Sequence, residues 1–314
     1  MSFKINASNL SLPIKEALRT AVEDITAMRS GILSGSATYN LASQVDAAGA
    51  TTTVIVPGAE IGDFAFASLG VSLQGILMKA YVSAADTVSV RFQNETAGTL
   101  DLASSTLRVF VIPRRNVKHA FGADALFASA TVDVTGLADA AGATTTGIAV
   151  TGAALGDFAF YSHGVTLAGV LATPYVQAAD LVDVRFQNES GSSIDIASTT
   201  GRVVVLPKAS VHKAFGGYAK QGAAVYDPAS LNDGVGATAA VTVTGASLGD
   251  FAFSSLSLDA VGFTYDSYVS AANTVSVRLQ NESGGTVNLA SLTIRSVVVP
   301  RGVVTNLASQ IMTK

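Results

Sequence analysis

The chain has 314 residues, 49% of them hydrophobic and only 13% charged, with a formal net charge of −4 and neither cysteine nor tryptophan. Soluble proteins usually carry roughly 25% charged residues, so this composition suits the burial of surface, much of it against other chains. The acidic balance gives no electrostatic reason to expect nucleic acid, and the absence of cysteine excludes disulfides and thiolate chemistry.

Residues 1–36 have no counterpart elsewhere in the chain. The opening MSFKINASNLSLP lacks the continuous apolar core of a secretion signal. Ser11 can cap a helix, with Pro13 in its first turn, where a missing donor is harmless. Ile14, Leu18, Val22, Ile25, Met28 and Ile32 then share one face, while Lys15, Arg19, Glu23 and Asp24 mostly occupy the other. An amphipathic helix is expected, ending in the Gly-Ser segment 31–36. It serves either as a lid over the base of a repeat core or as an arm that docks Ile14, Leu18, Val22, Ile25 and Met28 on a partner chain.

The rest of the chain is one unit written three times. The stretch Gly62–Pro113, opening GDFAFASLGVSLQG and closing STLRVFVIP, returns as Gly156–Pro207 and Gly249–Pro300. The glycines opening the three copies stand 94 and 93 residues apart, and a period of this kind overrides the two domains that length alone suggests. The expected organisation is an arm (1–36), modules 37–113, 130–207 and 224–300, links 114–129 and 208–223, and a tail 301–314.

Each module opens with a short strand near Ala37, Ala130 or Ala224. The phrases DAAGATTT, DAAGATTT and DGVGATAA make a turn, and a Thr/Val strand such as Thr52–Val56 leaves it. In Thr87–Gln93, Val88, Val90 and Phe92 point one way and Thr87, Ser89, Arg91 and Gln93 the other, the pattern of a half-buried antiparallel strand with its arginine in solvent. NETAG, NESGS and NESGG supply turns before a short strand around Leu100–Leu102. Leu107–Ile112 is nearly continuous in apolar residues, so both its faces are expected to be covered, and Pro113, Pro207 and Pro300 end that strand. The uncharged run Phe158–Ala179 is long enough to raise the question of a membrane span. The matching stretches carry Lys79, Asp259 and Asp266, which a bilayer would not tolerate cheaply, and strands are expected there instead.

The expected fold is all-β: three tandem antiparallel β-sandwiches of jelly-roll type. The links have equal length and share KHAFG and HKAFG, so one inter-module geometry is used twice. Fully extended, each would reach roughly 55–60 Å. The modules either string out as beads or close around a pseudo-threefold axis with repeated heterologous faces. Closure is favoured, because three units close and the charge-poor composition calls for extra buried surface.

The search for chemistry is mostly negative. No metalloprotease helix, phosphate loop or dinucleotide fingerprint occurs; no catalytic residue, cofactor or metal is expected. His163 beside Ser162 reads as a turn residue of a sandwich, since the other copies have Leu69 and Leu256 in its place. Asp63, Asp157 and Asp250, with Asp101, Asp195 and Asn288, are isolated among apolar residues, and capping of turns accounts for them better than calcium. Polar residues present in all three copies say more. Arg91, Arg185 and Arg278 precede Glu95, Glu189 and Glu282 by four residues, and Arg108, Arg202 and Arg295 form a second set. They make either ordinary surface ion pairs or contacts across the seams between modules that fix register.

The phrase YVSAADTVSVRFQNETAGTLDLAS and its two relatives resemble a short module of tailed-bacteriophage virion proteins. The resemblance covers the three repeats and neither end of the chain. It implies a non-enzymatic head decoration or cement protein on the outer capsid surface, bridging subunits of the major capsid protein at a threefold or quasi-threefold site and touching neighbouring copies of itself, with no nucleic acid or membrane as partner. A receptor- or glycan-binding protein of a tail fibre or baseplate is the alternative. It predicts an exposed aromatic cluster, for which the recurring Tyr81, Tyr175 and Tyr268 are the candidates. A secreted or surface-layer repeat protein comes third, disfavoured by the opening residues.

Overall fold

Period-two alternation dominates the repeats, and in the computed structural model of the protein it becomes strand after strand. The structure describes residues 31–304 other than Val261, together with Ser11, Pro13 and Lys15. The helix expected to carry Ile14, Leu18, Val22, Ile25 and Met28 lies outside the described residues, as does the tail beyond Val304.

The first module contains β1 (Leu33–Tyr39), β2 (Gly49–Ile55), β3 (Phe64–Leu69), β4 (Leu77–Ala84), β5 (Thr87–Gln93) and β6 (Ser105–Ile112). The second contains β7 (Leu126–Leu137), β8 (Gly142–Thr144), β9 (Ile148–Ala149), β10 (Phe158–His163), β11 (Leu171–Ala178), β12 (Leu181–Gln187) and β13 (Ile194–Leu206). The third contains β14 (Lys220–Tyr226), β15 (Gly236–Thr242), β16 (Phe251–Leu256), β17 (Phe263–Ala271), β18 (Thr274–Asn281) and β19 (Leu292–Val299). Every module is two antiparallel sheets with the same order: β1-β6-β3 over β2-β5-β4, then β10-β13-β7 over β11-β12-β8 with β9 also on β12, then β14-β19-β16 over β15-β18-β17. The extra residue of the second copy falls where its second strand splits into β8 and β9. The opening strands start four residues earlier than the sequence boundaries 37, 130 and 224, at Leu33, Leu126 and Lys220.

Within each module only the fourth and fifth strands form a tight hairpin. Asp86, Asp180 and Asn273 hold its turn with φ of 58°, 60° and 61°, a left-handed conformation that Asp and Asn tolerate better than other side chains with a Cβ. The ladder slips by one residue just before the turn, between Val82 and Ala84 in the first copy.

The continuous apolar strand is the hinge of the architecture. In β6, Val109 and Val111 face the sandwich core of their own module, where they meet Val88, Val90 and Phe92 of β5. Phe110 and Ile112 face the opposite way, into a central core shared by all three modules. The same division places Val203 and Val205 against Val204 and Leu206 in β13, and Val298 against Val297 and Val299 in β19. A strand between two cores has no polar face to present, which is why no alternation shows there. Burial of each such side chain is worth about 1.5–3 kcal/mol.

The links are not extended. The first forms a 3-10 turn at Arg114–Asn116 and a short helix at Val117–Phe121, the second a 3-10 helix at Val211–Gly217. Phe121 and Phe215 stack into the central core with Val117 and Val211, and Val304 enters it at the corresponding place after the third module. Apolar burial of KHAFG and HKAFG therefore overrides the reach that residue count allows.

The modules close into a ring. Strands β3, β10 and β16 meet one another pairwise, and Phe66, Phe160 and Phe253, at the same position in each, form a triangle. Their ring centroids are 5.5, 5.0 and 5.3 Å apart, with interplanar angles of 88°, 75° and 87°. Edge-to-face packing of this kind adds about 0.5–1.5 kcal/mol per pair beyond area burial. The pseudo-threefold axis runs through this triangle.

Candidate functional site at the module seams

The fifth strand of each module carries RFQNE or RLQNE across its end. The Phe or Leu fills the sandwich core, and the other four residues have separate polar tasks. Asn94, fully buried, donates from Nδ2 to the carbonyls of Gln44, Val45 and Gly98 and accepts from the amide of Thr96, so it holds the following turn. Asn188 and Asn281 do the same in their copies.

Arginine, glutamine and glutamate form a closed relay around the axis. Arg91 donates to Gln93 Oε1 at 2.5 Å and to the main-chain carbonyl of Glu189 in the next module. Gln93 donates to Glu95 Oε1 at 2.7 Å and to the Ala47 carbonyl. The Glu95 carbonyl accepts from Arg278, Arg278 also donates to Gln280 Oε1 at 2.7 Å, and Gln280 bonds the Glu282 carboxylate. The circuit closes when Arg185 donates to the Glu282 carbonyl and to Gln187, which donates to Glu189 at 2.8 Å. Each module thus reaches the next in one direction, first to second, second to third, third to first. An open row of beads would leave one of these links unmade.

Sequence periodicity places these arginines in solvent, and the structure corrects that. Arg91, Arg185 and Arg278 are only 7%, 8% and 8% exposed, because the face of the sheet opposite the sandwich core is covered by a neighbouring module. Nor are they ion pairs with their own glutamates; their partners are main-chain oxygens and a glutamine. Desolvation lowers their pKa, opposed chiefly by Tyr81, Glu282 and Tyr268 respectively. The glutamates respond oppositely. Desolvation, reinforced by repulsion from Glu189, pushes Glu95 and Glu282 up to about 7; desolvation, with Asp139, also raises Glu189.

The glycine in each DAAGATTT-type phrase makes room for this relay. A Cβ on Gly49, Gly142 or Gly236 would lie 2.1–2.2 Å from the glutamine Oε1 and 2.3–2.5 Å from the arginine Nη2. A side chain there would have to displace the ends of the glutamine and arginine from the relay.

The second arginine set lies at the same seams and reaches the other way. A Cβ on Gly62 would stand 2.8 Å from Nη1 of Arg202, on Gly156 2.5 Å from Arg295, and on Gly249 2.7 Å from Arg108. The carbonyls of those glycines accept from Ser162, Ser255 and Ser68 at 2.8, 2.8 and 2.9 Å, and each serine pairs across its sheet with the arginine of the same module. Nη1 of Arg202 and Arg295 is buried there without a hydrogen-bond partner among the described residues.

No protein-family model, curated protein or solved structure matches the chain.

Two further sets of equivalent positions complete the seams. Tyr81 packs against the core of the second module, Tyr175 into that of the third and Tyr268 into that of the first. These tyrosines interlock the modules and form no exposed cluster. Near the axis the equivalent positions are Lys79, Thr173 and Asp266, where three identical subunits would place three identical groups. Here Lys79 Nζ stands 3.5 Å from Asp266 Oδ1 and donates to the Tyr265 carbonyl at 2.6 Å, while Asp266 Oδ2 accepts the Met78 amide at 2.7 Å. Burial raises the Asp266 pKa and Lys79 opposes it. With the phenylalanine triangle they line an axial cavity of about 130 Å³.

The remaining candidates have structural roles. Asp63 accepts the amides of Glu60 and Arg114 at 3.1 and 2.9 Å and pairs with the Arg114 side chain; Asp157 and Asp250 repeat this with Lys208 and Arg301. His163 lies in strand β10 rather than in a turn. Its Nδ1 is 2.5 Å from the Tyr161 hydroxyl, and desolvation pushes its pKa down to about 4, so it is neutral. Ser162 is committed to the Gly62 carbonyl. Sequence reasoning missed Gln93, Asn94 and Gly49 with their equivalents, together with Ser68 and Ser255, although comparing the three copies residue by residue would have singled them out.

Proposed function

We propose that this protein is a non-enzymatic structural component of a virion, a decoration or cement protein that bridges major capsid subunits at a threefold or quasi-threefold site on the outer surface. Two independent lines support the reading. The repeated strand-turn-strand phrase resembles modules of tailed-bacteriophage virion proteins, and the closed relay Arg91–Glu189, Arg185–Glu282, Arg278–Glu95 makes one chain into a threefold body. The relay carries the proposal, because it supplies geometry matched to a threefold junction while spending the recurring polar residues on assembly rather than on a reaction. The tail-fibre alternative loses its main support, since Tyr81, Tyr175 and Tyr268 are taken up in the seams. Neighbouring copies on the same shell are the secondary partners.

Purified particles provide the test. The chain is expected at a fixed ratio to the major shell protein, and stripping it is expected to lower the shell's tolerance of heat or low salt. Labelled-antibody microscopy that finds it at the tail tip alone would remove the capsid reading.

A further inference from the structure

We propose that the axial cavity is a binding site for a small uncharged molecule with one flat apolar ring and an amide-like end, the ring against the phenylalanine triangle and the amide across Lys79 and Asp266. The site is separate from the seam relay and does not depend on the capsid reading. Its floor keeps the threefold repeat: Ala65, Ala159 and Ala252 stand beside Phe66, Phe160 and Phe253. The wall above does not. Lys79 of the first module, Tyr161 of the second and Asp266 of the third all line it, although the positions equivalent to Tyr161 hold Ala67 and Ser254 and the position equivalent to Lys79 and Asp266 in the second module holds Thr173. Polar departures from an otherwise repeated wall thus converge on one hollow, one from each module.

The Lys79–Asp266 pair has bonding capacity to spare. Its 3.5 Å separation exceeds the roughly 2.7–2.9 Å of a tight charge-assisted bond. The ammonium has three donors, of which one serves the Tyr265 carbonyl, and the carboxylate accepts the amides of Met78 and Ser267 with a further lone pair free. The two charges cancel, so an added anion would be repelled by Asp266 and an added cation by Lys79. An amide answers both, its carbonyl accepting from Lys79 Nζ and its N–H donating to Asp266 Oδ1. The two side chains keep 20% and 14% exposure, so this end of the cavity is reached from solvent.

A second observation lies beside the first. A recess of about 40 Å³ shares Lys79, Tyr161 and Ala172 with the cavity wall and is also lined by His163. This histidine is 5% exposed, and its Nε2 has no hydrogen-bond partner among the described residues. Buried polar atoms are ordinarily satisfied, and the recess has room for about three waters or for a polar substituent of a bound molecule. Size agrees with the chemistry. Benzene fits an apolar cavity of about 150 Å³, so the 130 Å³ of the axial cavity suits a single ring.

The test titrates the whole protein, labelled with carbon-13 at its methionine methyls, with benzamide, benzoate and benzamidine. Met78 lines the cavity, and its signal is assigned with Met78→Leu. The expected result is a saturable shift of that signal with benzamide, affinities at least about tenfold lower for the two charged probes, and a similar loss for benzamide in Lys79→Thr/Asp266→Thr. Asp266→Asn leaves Lys79 uncompensated and is expected to reverse the preference toward benzoate. The comparison of the three probes on the wild type needs no variant to fold. Equal affinities for all three show an unselective apolar hollow and overturn the proposal, and tighter binding of either charged probe overturns the uncharged class. No saturable shift with any probe shows that the cavity holds water alone and overturns the site. Unchanged benzamide affinity in a double variant that unfolds cooperatively overturns the role given to the pair.

Discussion

Arg91 of the first module donates to the main-chain carbonyl of Glu189, which lies 98 residues further along the chain in the second. The acceptor is a peptide oxygen, so the bond depends on where the neighbouring backbone runs and not on which side chain it carries. Repeated at all three seams, it fixes both the number of modules and their rotation.

Removing one of these guanidiniums should therefore loosen the ring. Arg185→Ala leaves the Glu282 carbonyl and Gln187 without their buried donor, an expected loss of about 2–4 kcal/mol. Arg185→Lys should recover part of it, because one nitrogen, Nη2, serves both acceptors and an ammonium carries donors enough for the two. Chemical denaturation of the three proteins checks this; full stability of the alanine variant would show that the relay is incidental.

Gly49→Ala, Gly142→Ala and Gly236→Ala should each destabilise by about 1–3 kcal/mol, since the new methyl displaces the Arg-Gln pair. At Gly98 a Cβ would meet nothing within 4 Å, so that position serves as the control. Thermal unfolding of Gly49→Ala beside Gly98→Ala is the direct comparison.

Glu95 and Glu282 have folded-state pKa values raised to about 7 by desolvation, with Glu189 a like-charged neighbour of both; Asp46 also raises Glu95, Glu95 and Asp233 also raise Glu282, and Arg278 opposes the shift at Glu95. A carboxyl whose pKa is higher folded than unfolded binds its proton more tightly in the folded state. Its contribution is fully present below the unfolded value near 4.5 and is lost as pH rises through about 7. Between pH 5 and pH 8 these two carboxyls thus favour the lower pH, while His163, its pKa lowered to about 4, favours the higher. Solvent screening of these half-exposed groups limits the effect to roughly 1 kcal/mol each. Glu95→Gln/Glu282→Gln should shift the dependence of melting temperature on pH toward greater stability at pH 8 relative to pH 5.

The Lys79–Asp266 pair near the axis makes a prediction about asymmetry. Lys79→Met leaves Asp266 buried without its counter-charge and should cost about 3–5 kcal/mol at neutral pH. Lys79→Thr/Asp266→Thr copies Thr173 onto all three positions, removes both charges together and should be markedly milder. A double variant less stable than Lys79→Met would show that the pair holds the axis together.

The repeat, the all-β class and most strand positions were legible in the sequence because they rest on local rules, although the strand expected around Leu100–Leu102 is only an isolated bridge from Leu100 to Gln44. Val88, Val90 and Phe92 alternate and Pro113 ends a ladder, each within a few residues of its cause. The continuous run Leu107–Ile112 announced two covered faces, and β6 does lie between two cores. What could not be read was the second face of β5. Ser89, Arg91 and Gln93 look like a solvent face, and nothing within their own module contradicts it.

The sequence by itself determined that one sandwich is built three times and that its final strand needs cover on both sides, since apolar periodicity and backbone turn preferences act locally. Only the tertiary structure decided that the polar face of β5 is buried, that its arginine serves a carbonyl in the next module, and that the links fold inward around Phe121 and Phe215. Those outcomes depend on surfaces brought together from about 94 residues away, and a period that long leaves no mark on the alternation of neighbouring side chains.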